Sequence, residues 1–208
     1  MAPTHRSGRR ARGGTLAPMH PTLIAVLAGG RSRRLGTDKA QLRFGDATWL
    51  ERTAATAAST DLQVAVVGRP RPDDWGGPDV AFLDDAPPGV GPIGGLMAAL
   101  AASGGPVLAI GCDTPLLDRA AFAWLLEKAA SDAGPRGLGV RTPSGPEPLF
   151  SVYGPDVLPV AEAHVAAGRR SLRALLRLPG VAVIDAPPDV AAALANVNTP
   201  EDLARLRL

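Results

Sequence analysis

Short apolar runs alternate along this chain with longer stretches whose apolar positions recur at helical spacing. Residues 22–27, 62–67, 80–83 and 107–110 are brief and largely apolar, the pattern of strands buried on both faces of a sheet. Between and after them, residues 47–59, 94–102 and 118–131 predict helices, the last with Asp118 near its start, where the helix dipole favours an acid. Beyond Gly134 the pattern loosens: 137–141, 149–153 and 181–184 read as strands, and 156–167 and 171–178 as helices. At 199–202, Thr199-Pro200-Glu201-Asp202 marks a further helix start, with threonine as cap, proline in the first position and acids in the first turn. The alternation predicts an α/β fold of three layers, a mostly parallel sheet with helices on both faces. No internal repeat is present, and the loop at 70–78 is too short to link domains, so residues 22–208 are expected to form a single domain.

A length of 208 residues is enough for one sizeable core and short for two, and 46% hydrophobic with 20% charged residues is an ordinary globular balance. Cys112, the single cysteine, excludes an internal disulfide and a multi-cysteine metal site. A reducing cytoplasm is therefore the expected compartment, and any metal must be held by oxygen. The net charge of +2 is unevenly placed: Arg6, Arg9, Arg10 and Arg12 stand in residues 1–22 with no acid among them. Taking those four from the 22 basic residues leaves 18 against 20 acids, so the body is slightly acidic and the basic character belongs to a tail. Residues 1–21 are expected to be that tail, disordered. Arg9-Arg10 followed by 22–27 resembles an export signal only superficially, because the apolar stretch is brief, prolines interrupt its approach and it runs into glycines. Met19 is a second possible start. No run reaches the length of a membrane span, and the tail lacks the interleaved aromatics of a single-strand nucleic-acid binder. Neither a membrane nor nucleic acid is expected as a partner.

The chemistry concentrates after the first strand, in Leu27-Ala28-Gly29-Gly30-Arg31-Ser32-Arg33-Arg34-Leu35-Gly36-Thr37-Asp38-Lys39. Two glycines there let the backbone turn sharply and approach a ligand, and their amides can form an anion-binding concavity at the carboxyl end of the sheet. Three arginines and a lysine add charge enough for a triphosphate. The dinucleotide fingerprint does not fit glycines at 29, 30 and 36, and the Walker loop does not fit five residues between Gly30 and Gly36 with Lys39 three later. A plain glycine-rich turn with solvated arginines is the alternative reading. Asp84-Asp85 ends the third strand-like run, ahead of Gly91-Pro92-Ile93-Gly94-Gly95; acids suit sugar or base contacts, and a glycine-rich turn suits close backbone approach. Gly111-Cys112-Asp113-Thr114-Pro115 follows the fourth run, where an aspartate can hold Mg²⁺ bridging phosphate oxygens or make an Asx turn before Pro115. Cys112 reads as a small packed side chain. Asn196-Val197-Asn198-Thr199-Pro200 offers amides that could bond a heterocycle or close a turn. His5, His20 and His164 lie outside these motifs and read as tail or surface residues.

These segments together resemble the molybdenum cofactor guanylyltransferase family, within the nucleotidyltransferases of Rossmann-like fold. The stretch from Leu27 to Lys39 is similar to its signature L-A-G-G-x-S-x-R-[ML]-G-x-D-K, with every fixed position filled. Asp85 with 91–95, Cys112 to Leu116, and Asn196 to Leu203 match three further motifs, and the likeness runs from about 22 to 206, through Pro148-Leu149, Tyr153 and 168–172. The resemblance implies Mg²⁺-dependent transfer of GMP from GTP to molybdopterin phosphate with release of pyrophosphate. It implies GTP contacts at Leu27, Ala28, Gly29, Gly30, Lys39, Asp85 and Asp113, and catalytic roles for Lys39, Arg34 and Asp113, with the metal on Asp113. It implies acceptor contacts at Asn196 and Asn198, and a molybdoenzyme or its chaperone as a possible partner. Two positions depart from the family: Glu147 stands before Pro148 where many members have histidine, and Gly68 where some have an asparagine on the nucleotide. Another base or acceptor, such as cytidylyl transfer or a sugar phosphate, remains the alternative reaction. A non-catalytic nucleotide binder is the rival from another class, against which stand the retained Lys39 and Asp113.

Overall fold

In a computed structural model of the chain, residues 18–29, 40 and 42–195 are described. The first strand, β1 (Leu23–Leu27), is buried along its whole length. A two-residue hairpin follows, β2 (Arg43–Phe44) and β3 (Ala47–Thr48), and leads into α1 (Trp49–Ala58). Then come β4 (Gln63–Val67), β5 (Ala81–Leu83), α2 (Pro92–Ser103), β6 (Val107–Gly111), α3 (Arg119–Asp132), β7 (Gly137–Thr142) and β8 (Gly145–Tyr153). A 3₁₀ turn at Pro155–Val157 precedes α4 (Leu158–Ala166), and α5 (Leu172–Leu175), β9 (Val181–Asp185) and α6 (Pro188–Ala193) complete the described order.

Among the described residues, seven strands form one sheet in the order β5-β4-β1-β6-β8-β7-β9. β5, β4, β1 and β6 are mutually parallel, β8 runs against both β6 and β7, and β9 is parallel to β7. The chain winds outward from β1 to β5, then α2 carries it back across to β6 on the other side of β1. That reversal makes the space beyond the carboxyl ends of β1 and β6 a topological switch point, where open α/β sheets bind ligands.

Alternation along the strands sorts the core into two layers. Ile24, Val26, Val66, Leu108, Ile110 and Phe150 meet Leu50 and Ala54 of α1, Phe122 and Leu125 of α3, and Val190 of α6. Ala25, Leu27, Val67, Ala109 and Tyr153 meet Ile93, Leu96 and Leu100 of α2, Ala161 of α4 and Leu175 of α5. The expected three-layer fold is therefore present, with helices on both faces of a mostly parallel sheet.

Several boundaries differ from the pattern reading. Residues 47 and 48, read as the start of a helix, belong to β3, and Thr48 caps α1 instead. The hairpin itself was not read from the pattern, although Gly45-Asp46, with Gly45 at φ 63°, is a hairpin-turn signal. The expected helix at 156–167 begins as the 3₁₀ turn, and that at 171–178 holds only one turn before Gly180 at φ 90°. β8 extends four residues earlier than expected, and α6 was not anticipated. Residues 18–21, assigned to a tail, include Met19 and Pro21, both buried on the body; the Met19 N–H donates to the Ala129 carbonyl at 3.2 Å. His164, expected on the surface, is half-buried, with its Nδ1 sealed and lacking a hydrogen-bond partner among the described residues. Asp118 caps α3, accepting the Ala121 N–H at 2.9 Å.

Candidate functional site

The described site candidates lie along the carboxyl edge of β5, β4, β1 and β6. Beyond the ends of the strands the ladder continues: the Ala28 N–H donates to the Val67 carbonyl at 2.9 Å, and the Gly68 N–H to the Leu83 carbonyl at 2.8 Å. Ala28 also accepts from Arg69 Nε at 3.3 Å. These bonds lay the backbones of Gly29 and Gly68 against one another. A Cβ on Gly68 would fall 2.8 Å from the Gly29 Cα and 2.9 Å from its nitrogen, and Gly68 holds φ 90°, so only glycine fits. In sequence Gly68 stands where some members of the family have an asparagine; its geometry shows a packing requirement there.

Asp85 closes this glycine cluster. Its carboxylate oxygens lie 3.0 Å from where a Gly29 Cβ would be, 2.8 Å from that of Gly68 and 3.1 Å from that of Gly95 in the first turns of α2. Three missing side chains thus make the cradle for one carboxylate. Burial, and secondarily the charge of Asp84, push the Asp85 carboxyl above the usual carboxylate range. Gly94 is required for the same reason: a Cβ there would sit 2.6 Å from the Pro87 carbonyl, so the turn of residues 86–91 could not lie on the helix.

Asp113 follows β6, three strand positions from the end of β5, or roughly 14 Å at the usual inter-strand spacing. One carboxylate oxygen lies 2.7 Å from the Cβ that Gly111 lacks, beside Leu149. β8 pairs Phe150 with Ile110, so the residues before Phe150 pass beyond the end of β6 and bring Glu147 to the level of Asp113. Glu147 is firmly held. Its Oε1 accepts the Thr142 hydroxyl at 3.0 Å, its carbonyl accepts the buried Ser151 hydroxyl at 2.7 Å, and the Pro148 carbonyl accepts the Tyr153 phenol at 2.8 Å. Burial raises the Glu147 carboxyl; the Thr142 bond and the charge of Arg173 oppose this, the negative charge of Asp113 adds to it, and the net shift is upward. Burial likewise pushes the Tyr153 phenol up. In sequence Glu147 stands out only as a departure from the family pattern before Pro148. What could have revealed it is the strand alternation from Glu147 through Leu149 and Ser151 to Tyr153.

Leu27, Ala28, Gly29, Asp85 and Asp113 thus share one edge. Gly30, Arg34, Lys39, Asn196 and Asn198 lie outside the described residues. Oxygen donors such as the Asp113 carboxylate, with Glu147 beside it, suit a hard divalent cation like Mg²⁺, which completes its shell with water and phosphate. Among the described residues no group of three His, Cys, Asp or Glu side chains gathers into a metal cluster. Cys112 is half-buried against the core.

A doubly wound sheet with Gly29 directly after β1 and acids after β5 and β6 fits a nucleotide-binding enzyme of Rossmann-like fold, and likenesses to known proteins supply the class. The chain belongs to the MobA-like NTP transferase domain family, whose model matches residues 24–193. A protein of Opitutus terrae named "Probable molybdenum cofactor guanylyltransferase" is 35% identical over 191 residues, 88% of this chain and 93% of that protein. A "Molybdenum cofactor guanylyltransferase" of Pseudomonas putida is 35% identical over 187 residues, 88% of this chain and 96% of its own length. In fold, the chain resembles the molybdopterin-guanine dinucleotide biosynthesis protein A of Archaeoglobus fulgidus, with TM-score 0.72, 23% identity and coverage of 88% and 95%. It also resembles a 2-C-methyl-D-erythritol 4-phosphate cytidylyltransferase of Thermus thermophilus, with TM-score 0.63, 21% identity and coverage of 91% and 100%. The chain is therefore an enzyme of the nucleotidyltransferase class.

Proposed function

We propose that the chain transfers GMP from GTP to the terminal phosphate of molybdopterin, forming a guanine dinucleotide cofactor. An oxygen of the pterin phosphate attacks the α-phosphorus, the bond to the β-phosphate breaks, and pyrophosphate leaves. The observation that carries this reading is similarity over 88% of the chain to proteins named guanylyltransferases, in a chain whose Asp85 and Asp113 stand on either side of the carboxyl end of β1.

Asp85, fixed in its glycine cradle, is suited to accept hydrogen bonds from the nucleoside, and the backbone of 27–30 to approach the phosphates. Asp113 would hold Mg²⁺, with Glu147 as a neighbouring carboxylate; when bound, the ion would neutralise charge on the phosphate oxygens. Lys39 and Arg34 are assigned to stabilise the charge that builds during transfer, and Asn196 and Asn198 to the pterin. No helix among the described residues is long and apolar enough to cross a membrane. A cytoplasmic enzyme that hands its product to a molybdoenzyme or its chaperone is the setting we propose.

The test is pyrophosphate release by the purified chain with Mg²⁺, molybdopterin and each of GTP, CTP, ATP and UTP in turn. Turnover with GTP and formation of the dinucleotide are expected. A response to CTP alone would overturn the guanine assignment, and turnover with a sugar phosphate in place of the pterin would overturn the acceptor.

A further inference from the structure

Where the ladder between β1 and β4 ends, a side chain makes the next rung. Val67 faces β1 and accepts the Ala28 N–H at 2.9 Å, so in a parallel ladder that ran on, the Ala28 carbonyl would accept the backbone N–H of residue 69. The chain turns instead at Gly68, at φ 90°, whose own N–H goes to Leu83 of β5 at 2.8 Å. It is Arg69 Nε that donates to the Ala28 carbonyl, at 3.3 Å and across 41 positions of sequence. Ala28 is 4% exposed and Arg69 half-buried, so the bond satisfies the carbonyl of a buried residue.

We propose that Arg69 is a positioning residue that sets the direction of the peptide between Ala28 and Gly29, and so aims the Gly29 N–H at the phosphates of the nucleotide. The Ala28 carbonyl and the Gly29 N–H belong to one planar trans unit and point in opposite directions. β4 and β6 lie on opposite sides of β1. A carbonyl held towards β4 by Arg69 therefore turns the Gly29 N–H towards β6, into the switch point that Asp113 borders. The need for such a clasp follows from the glycine itself. Without a Cβ, residue 29 tolerates φ of either sign, so the peptide before it can flip at little cost unless its carbonyl is held. An amide fixed in place meets a phosphate oxygen without reorienting, and the missing Cβ lets the anion come close. This assignment rests on the proposed binding of a nucleoside triphosphate by the turn after β1.

Arg69→Gln and Arg69→Met separate the bond from the charge. Glutamine carries a neutral N–H donor the same number of bonds from the backbone as arginine Nε, and methionine carries none. The methionine variant is expected to need about tenfold more Mg²⁺·GTP for half-maximal turnover, with kcat changed by less than about twofold, and the glutamine variant to recover most of the difference. A glutamine variant as impaired as the methionine one overturns the clasp, because the charge would then be what counts. Equal KM in all three proteins overturns any positioning role. Magnetic resonance supplies a reading without turnover: the Ala28 carbonyl carbon is expected to shift in the methionine variant and to stay near its original value in the glutamine variant. An Ala28 carbonyl signal identical in all three proteins overturns the bond. In the unsubstituted chain the Gly29 amide is expected to shift on titration with Mg²⁺·GTP, a reading that stands should the methionine variant fail to fold; a Gly29 signal unmoved at saturation overturns its aim. Absence of turnover and of any rise in melting temperature with every nucleotide would defeat the proposed function, while the Ala28 carbonyl would still decide whether Arg69 holds the peptide.

Discussion

At the scale of single residues, the carboxylates set the predictions. Asp113 is half-buried at the sheet edge, so Asp113→Ala should cost little stability and yet lower pyrophosphate release by a factor of about 10² or more. Melting temperature and turnover measured on the same preparation check this, and a variant that retained its rate would remove Asp113 from the chemistry. Asp85 and Glu147 both titrate above the ordinary carboxylate range, chiefly because burial penalises their charged forms. A group raised in this way binds more protons folded than unfolded, so the fold loses stability as pH rises through the window between the two values. At about pH 7 both charges are therefore a cost, and Asp85→Asn and Glu147→Gln should raise the melting temperature there, with the gain fading as pH falls below the ordinary carboxylate range. Denaturant melts across that range measure the difference. An equal effect at every pH would mean that the gain does not come from removing charge. Stability gained at the expense of nucleotide binding is what a functional carboxylate in a poor dielectric setting would give.

At the scale of elements, α1 shows how one side chain can organise three segments. Glu51 accepts the Thr48 N–H on Oε2 at 2.7 Å, completing a capping box with the Thr48 hydroxyl, and accepts the Gly76 N–H on Oε1 at 2.6 Å. Burial alone would raise its carboxyl, but the backbone bonds from Thr48 and Gly76, with the Thr48 hydroxyl and the charge of Arg43, outweigh it and hold the group below its usual value. The sign is opposite to that of Asp85: stability from Glu51 is present above the unfolded value and lost as pH falls through the folded one. Thr48→Ala should cost about 1 kcal/mol as a lost cap, and Glu51→Ala about 1–3 kcal/mol, because it also strands the Gly76 N–H. Comparing Glu51→Gln with the unsubstituted chain across acid pH should show the difference shrinking. Gly68→Ala belongs here as well, since it would force β4 away from the turn after β1; a cost of about 1–3 kcal/mol is expected from the φ alone, and more from the contact with Gly29.

At the scale of the molecule, the packed region begins before the first strand. Met19 belongs to the core beneath α1 and α3, with its Cε near Gly154. Removing residues 1–17 should leave the melting temperature and its rise with nucleotide unchanged, whereas removing 1–21 should cost about 1–3 kcal/mol for the lost burial of Met19 alone. Melting curves of the two truncations decide this, and equal stability would return 18–21 to the tail. The switch point arises only at this scale, because it requires α2 to carry the chain from β5 across β1 to β6.

What the sequence determined by itself was the layered fold and the residue types carried in its turns. Five-residue apolar runs such as β1 and β6 can be satisfied only in a sheet covered on both faces, and a glycine pair or an aspartate directly after such a run must emerge at the carboxyl edge. These signals are local, carried within a dozen residues. The tertiary structure decided what depends on distant pairings. The pairing of Phe150 with Ile110 brings Glu147 level with Asp113. Gly68 is explained by a backbone 39 positions earlier in sequence, that of Gly29. The length of α5 was set by how the chain must turn at Gly180 to enter β9, against the helical pattern of residues 176–178, whereas the hairpin before α1 is carried locally by Gly45-Asp46. Spacing along the chain records which groups are available; only the closed sheet fixes which of them share an edge, because strand order and register follow from burying both faces at once.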